Sequence, residues 1–177
     1  MSENVVASFL NVFTPEEIAA IRLMGESASG LQGKVENAPR SHRNCSVAWL
    51  EPEGWLAEKL EEAIAHINEQ FFGFDLEGFA EAFQYTLYRE GGWYGWHVDK
   101  GENTAAPRKL SLTIQLSAPD EYEGGEFQIN NGSEVLQFGR EQGRVLAFPS
   151  WVLHQVTPVS RGTRRSLVVW IHGAPFR

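Results

Sequence analysis

Apolar positions recur at helical spacing over residues 14–72 and at strand spacing from residue 78 onward. Thr14-Pro15-Glu16-Glu17 opens the first periodic stretch as a capping box, with proline at the first helical position, and Phe13 and Ile18 sit where a hydrophobic staple places them. A helix is expected over 14–27. Residues 28–41 lack periodicity and are rich in Gly, Ser, Asn and Pro, which predicts a long loop. Residues 46–50 read as a strand. A second helix is expected over 55–72, with Leu56, Leu60, Ile64, Ile67 and Phe71 on one stripe. Strands then follow at 80–89, 93–99, 109–117, 125–130, 134–138, 144–148, 152–158 and 165–172. Asn130-Asn131-Gly132-Ser133 marks a hairpin, and Glu121 to Gly125 reads as a turn. Two helices followed by about eight short strands predict a mostly β jelly roll (a double-stranded β-helix) with the helices packed on one sheet.

Composition narrows the class. The 177 residues suit one domain, a helical support region over 1–78 and a jelly-roll core over 79–177. No apolar run approaches the roughly 20 residues that span a bilayer, and the first residues lack the basic start and cleavage site of a signal peptide. Cys45 is the only cysteine, which excludes an internal disulfide framework and a cysteine-rich zinc site. These features predict a cytoplasmic protein without membrane partners. The net charge of −8 argues against a nucleic-acid surface, which needs a basic stripe. Nothing in the pattern fixes an oligomeric state.

Chemistry concentrates at His97-Val98-Asp99. In a strand, residues i and i+2 share a face, so both side chains can reach one metal ion. The tripeptide ends a segment of glycines and aromatics, Tyr88 to Trp96. A third ligand is required, and His154 lies far downstream between two apolar strands, where a closed double sheet brings distant strands together. Two imidazoles and one carboxylate leave open positions, which suits Fe(II) oxygenases, although zinc accepts the same ligand types. Arg164 lies ten residues beyond His154 and can face the same interior. An arginine fork there is a natural anchor for a carboxylate. Arg165 is its neighbour on the opposite strand face.

The pattern Tyr88-x-x-Gly91-x-x-Tyr94-x-x-His97-x-Asp99, then His154, then Gly162-x-Arg164-x-Ser166-Leu167, resembles the Fe(II)/2-oxoglutarate-dependent dioxygenases. The likeness is to their prolyl-4-hydroxylase-like branch, of the PKHD type. Leu110 to Ser117 and Tyr122-Glu123-Gly124-Gly125-Glu126 also match that branch. The resemblance implies that His97, Asp99 and His154 hold iron and form the catalytic centre. It implies that Arg164 binds the distal carboxylate of 2-oxoglutarate, with Tyr88, Thr113 and Gln115 as further cosubstrate contacts. Tyr94, Trp96 and Trp170 would line the substrate pocket, with Trp93 and Trp151 helping to shield it. Fe(II), 2-oxoglutarate and dioxygen are the implied cofactors and cosubstrates, and ascorbate is an optional addition to that set. Oxidative decarboxylation to succinate would be coupled to hydroxylation of a peptide or protein side chain, prolyl by analogy.

Two other readings remain at this level. In one, the same chemistry serves a free amino acid or small metabolite, with loops 28–41 and 100–108 shaping the mouth. A non-catalytic cupin-like module that binds a metal is the reading from another class. His42, His66 and His172 carry no surrounding motif and are expected to be structural or exposed, and Arg40, Arg43 and Ser46 could face the pocket from the N-terminal strand.

Overall fold

A computed structural model describes residues 5–29 and 42–174. The chain opens with β1 (Ala7–Phe9) and α1 (Pro15–Ser29). The expected capping box is formed: the Thr14 amide donates to Glu17 Oε2 at 2.8 Å, and the Thr14 hydroxyl accepts from the Glu17 amide at 3.2 Å. The predicted loop at 28–41 falls mostly outside the described residues. Next come β2 (Arg43–Asn44), β3 (Ser46–Leu50) and α2 (Gly54–Ile67), continued by a π-helical turn, Asn68–Phe72. The strands that follow are β4 (Leu76–Gly78), β5 (Phe83–Tyr88), β6 (Trp93–His97), β7 (Arg108–Gln115), β8 (Tyr122–Gly124), β9 (Phe127–Asn130) and β10 (Val135–Gln137). The chain ends with β11 (Val145–Pro149), β12 (Leu153–Val156), β13 (Val159–Gly162) and β14 (Arg164–Gly173).

Two sheets make the jelly roll. The larger has the order β1-β11-β7-β14-β5-β3, with β4 also paired to β14, and the smaller has the order β10-β9-β12-β6-β2. A two-stranded ribbon joins β8 to β13. The N-terminal third is therefore more than a helical support, since β1 and β3 extend the larger sheet and β2 the smaller.

Period-two alternation decides what each face of the larger sheet meets. Leu110, Leu112 and Ile114 of β7, Phe83, Tyr85 and Leu87 of β5, and Leu167, Val169 and Ile171 of β14 pack with Ile18 and Ile21 of α1 and with Leu56, Leu60, Ile64 and Ile67 of α2. This is the main core, and it covers the outer face of the sheet. The alternate residues, Gln84, Thr86 and Tyr88, Ser111, Thr113 and Gln115, and Arg164, Ser166 and Trp170, are also buried but are mostly polar. A strand that is apolar on one face and polar yet buried on the other signals an enclosed site.

Three sequence expectations are corrected. Phe71 does not join the buried stripe of α2: it is 38% exposed, because the π turn that carries it shifts the helical phase after Ile67. The segment from Glu121 is not a simple turn, since Tyr122–Gly124 forms β8 and pairs with β13. Asp99 lies beyond the end of β6 rather than within it. The hairpin predicted at Asn130 is present, with Asn130 paired to Val135 and Asn131 Oδ1 accepting from the Ser133 and Glu134 amides.

Candidate metal centre and its cavity

His97 at the end of β6 and His154 on β12 are register partners across antiparallel strands. Each ring is fixed by its own chain: His97 Nδ1 bonds Gly95 O at 2.7 Å, and His154 Nδ1 bonds Val152 O at 2.9 Å. A carbonyl oxygen only accepts, so the proton resides on Nδ1 and each Nε2 presents a lone pair. Both Nε2 atoms stand 3.7 Å from Asp99 Oδ1. The three donor atoms lie within 4.8 Å of one another. Burial pushes the His97 imidazole down to about 4, with the neighbouring His154 adding to that and Asp99 opposing it. The His97 ring is thus held neutral, as a metal ligand must be.

Asp99 is aimed by residues that the motif does not contain. Ser150 O accepts from the amides of Asp99 and Lys100 at 2.9 and 2.8 Å, which pins the bend after β6. Ser111 Oγ donates to Asp99 Oδ2 at 2.7 Å and lies 2.9 Å from Ser150 Oγ. With Oδ2 occupied, Oδ1 is the oxygen left for a metal. Two imidazole nitrogens and one carboxylate oxygen on one side of a centre form the facial donor set of non-haem Fe(II) sites. The residues fit that group.

A cavity of about 250 Å³ opens beside the triad, and its walls include Tyr88, Tyr94, Thr113, Arg164, Ser166 and Trp170. Arg164 is 3% exposed. Its only hydrogen bond among the described residues is a long one, from NH1 to Ser166 Oγ at 3.4 Å, and its Nε is buried without a partner. A buried guanidinium with no counter-ion is a strong request for a carboxylate. Tyr88 pairs with Arg164 across β5 and β14, and its ring lies 5.5 Å from the guanidinium carbon. Burial raises the Tyr88 phenol well above its ordinary range, so it stays a neutral hydrogen-bonding group.

Two glycines flank Arg164, Gly162 in sequence and Gly125 in space. Gly162 has φ +77°, and a Cβ there would strike the Glu121 carbonyl oxygen. Gly125, at φ +60°, would place a Cβ 2.8 Å from Val159 Cγ2 and 3.2 Å from Arg164 Cδ. Arg165 points the other way, to Glu26 of α1 at 2.7 Å.

Some predicted site residues lie elsewhere. Trp96 does not line the cavity. The register of β6 on β12 slips between Tyr94 and His97, so these two residues, three apart, fall together and stack at 3.5 Å, while Trp96 is displaced from that face. Gln115 is also outside it: its amide nitrogen donates to Ser117 O at 3.1 Å and Tyr122 Oη at 3.0 Å, beneath a smaller neighbouring hollow. Trp93 and Trp151 do not line the cavity either. Trp151 packs at the surface against Phe74.

Other groups near the site carry little sequence signal. Arg108 lines the cavity, donates to Asp99 O at 3.1 Å and stacks on Trp170 at 3.7 Å, while its guanidinium is paired with Glu81. His172 bonds the same Glu81 carboxylate at 2.7 Å. Burial opposes ionisation of Glu81, but its bonds to Arg108 and His172 prevail and hold its carboxyl below the usual range. His42 sits edge-on to both Tyr94 and His97. These partners are 9 to 91 residues apart in sequence, so no local pattern announces them.

Comparisons with known proteins agree with this geometry. The model of the 2OG-Fe(II) oxygenase superfamily matches residues 83–172, which run from β5 to β14 and contain the whole triad and Arg164. A PKHD-type hydroxylase of Stutzerimonas stutzeri is 32% identical over 172 residues, covering 91% of this chain and 75% of that protein. Among solved structures, a Pseudomonas putida prolyl-4-hydroxylase superposes with a TM-score of 0.77 at 19% identity, over 97% of this chain and 94% of that one. A Trichoplax adhaerens prolyl hydroxylase, in complex with a peptide fragment of the hypoxia inducible factor oxygen degradation domain, gives 0.78 at 16% identity, over 96% and 84%. A double-sheet cavity with a two-histidine, one-carboxylate centre and an unpaired arginine is thus joined to a matching family model and to close relatives over most of the chain: the protein belongs to the 2OG-Fe(II) oxygenase superfamily, as a PKHD-like member.

Proposed function

We propose that the chain is one Fe(II)- and 2-oxoglutarate-dependent dioxygenase domain that hydroxylates a side chain of a peptide or protein, prolyl in kind, and releases succinate. The carrying observation is the convergence of His97, Asp99 and His154 at the foot of a cavity whose far cation, Arg164, has no counter-ion among the described residues. When bound, Fe(II) and 2-oxoglutarate supply the oxidation: dioxygen is consumed, 2-oxoglutarate loses carbon dioxide to give succinate, and one oxygen atom enters a substrate C–H bond.

The chain's own residues do the rest. His97 and His154 turn Nε2 toward the metal position because Nδ1 of each is committed to a backbone carbonyl. Asp99 offers Oδ1 because Ser111 holds Oδ2. Arg164 would take the distal carboxylate of 2-oxoglutarate, with Tyr88 and Thr113 beside it on the cavity wall. Tyr94 stacks on His97 and forms wall on the substrate side, and Trp170 is held in place by the Arg108 guanidinium. Together these buried groups keep bulk water from the reacting centre.

The peptide reading draws support from the Trichoplax enzyme, which holds a peptide on the same fold. Exposed apolar residues on the triad's own segments, Val98, Trp151 and Leu153, give a peptide something to rest on. The single half-buried Cys45, whose thiol burial pushes up, suits a reducing cytoplasm. Among the described residues no helix is long and apolar enough to cross a membrane.

The test is 2-oxoglutarate turnover with Fe(II), together with mass spectrometry of a peptide panel for a gain of one oxygen atom. Succinate formation that is lost in His97→Ala and Asp99→Ala supports the proposal; turnover unchanged by either substitution refutes it.

A further inference from the structure

The cavity contains a second arginine for which neither the metal nor the cosubstrate provides a partner. Arg43, on β2 beside Tyr94 of β6, lines the cavity. Its guanidinium carbon stands 5.5 Å from the Tyr94 ring centroid, and the same ring stacks on the metal-ligating face at His97. Its Nε is sealed from solvent and has no hydrogen-bond partner. Among the described residues Arg43 forms no ion pair.

Charge balance sharpens the point. Arg43, Arg108 and Arg164 are the arginines of the wall. Arg108 is met by Glu81. Asp99 and the two carboxylates of 2-oxoglutarate would carry three negative charges, matched by a divalent metal and Arg164. Arg43 is left over, one positive charge in a partly desolvated wall a ring's width from the metal ligands. An uncompensated guanidinium in such a place is costly, and its planar fork is best satisfied by a carboxylate, which brings both charge and two parallel acceptors. A neutral amide or carbonyl supplies an acceptor but leaves the charge unmatched.

We propose that Arg43 anchors a carboxylate carried by the molecule that is hydroxylated. The proposal rests on the 2-oxoglutarate-dependent reading and adds the substrate's chemical class to it: a molecule with a carboxylate a few ångströms from the reacting carbon. That group is either a free α-carboxylate, of an amino acid or a chain terminus, or an acidic side chain beside the modified residue.

The experiment uses full-length protein loaded anaerobically with Mn(II) and 2-oxoglutarate, so that no turnover occurs, and isothermal titration calorimetry. The probes are N-acetyl-proline, N-acetyl-lysine and N-acetyl-leucine, each as free acid and as amide, and the amidated dipeptides N-acetyl-Pro-Glu and N-acetyl-Pro-Gln. At least one acid is expected to bind about tenfold or more tightly than its neutral counterpart. That preference should vanish in Arg43→Gln and return in part in Arg43→Lys. The pair that shows it tells a terminal carboxylate from a side-chain one. Equal binding of acid and neutral forms throughout, already in the wild-type protein, overturns the proposal, as does a preference that survives Arg43→Gln. Loading with 2-oxoglutarate is read first and separately. A wild-type protein that fails to bind it, or an Arg164→Gln variant that binds it as tightly as wild type, overturns the cosubstrate reading and with it the assignment of Arg43. Normal loading without acid preference overturns Arg43 alone.

Discussion

One hydroxyl, that of Ser111, decides which oxygen of Asp99 is free. Its 2.7 Å bond to Oδ2 turns Oδ1 toward the two imidazoles, and Ser150 steadies the serine in turn. Groups that orient a metal ligand in this way typically govern affinity by 10- to 100-fold. Ser111→Ala is therefore expected to weaken Fe(II) binding by about that factor while leaving the fold intact, with a metal-competition titration as the measurement. At this scale the sequence was half legible. His97, Asp99 and His154 stand out by type and spacing, and Ser111 could be placed on the right face of its strand by alternation. That its hydroxyl meets Asp99 could not be read, because the contact depends on how β7 lies against the bend after β6. Arg108 is less legible still: its partner Glu81, which it shares with His172, lies far away in sequence, and an arginine before a strand looks like any solvated one.

At the scale of elements, the alternation of β7 and β14 does two jobs. One face of each strand makes the helix-packed core, and the other carries Ser111, Thr113, Arg164 and Trp170 into the cavity. The turn that delivers β14 is as important as the strand. Gly162 adopts a left-handed conformation in which any side chain meets the Glu121 carbonyl. Gly162→Ala should cost roughly 1–2 kcal/mol from the backbone conformation alone, and more from the collision. Because Arg164 lies two residues on, 2-oxoglutarate affinity should fall together with the melting temperature. Thermal unfolding and cosubstrate titration of the same variant check this: a lower melting temperature with unchanged affinity would detach the turn from the site. The misplaced elements have local causes. The family resemblance places Trp96 in the pocket with Tyr94, but the register slip between Tyr94 and His97 brings only Tyr94 onto the face of His97. Phe71 left the stripe of α2 because a π turn follows Ile67. Bulges and π turns insert one residue into a period, and composition does not announce them.

For the whole molecule, the two sheets enclose titratable groups that are held neutral or paired, so its stability depends on pH. Burial depresses His97 to about 4 in the folded protein, against an ordinary value near 6.5. Between those values the unfolded chain binds more protons than the folded one, so folded stability is fully present above about pH 6.5 and falls as the pH drops toward 4. The metal-free protein should therefore melt at progressively lower temperature across that window, and His97→Gln should flatten the slope, as followed by thermal unfolding in a pH series. The fold as a whole was the most legible feature, since a jelly roll with helices on one sheet follows from element order. The strand over 46–50 is legible and forms β3, but β1 and β2 are not, because strands of three and two residues give too short a pattern to recognise.

The most direct measurement of the site is an anaerobic titration of the protein with Fe(II) and then 2-oxoglutarate, followed by visible absorption. One equivalent of iron and one of cosubstrate should produce the charge-transfer band of an iron-bound 2-oxo acid. The band should be absent in Asp99→Ala and should need far more 2-oxoglutarate in Arg164→Gln. No band in the wild-type protein, or the same band at the same concentrations in both variants, would contradict a centre built from His97, Asp99 and His154 and faced by Arg164.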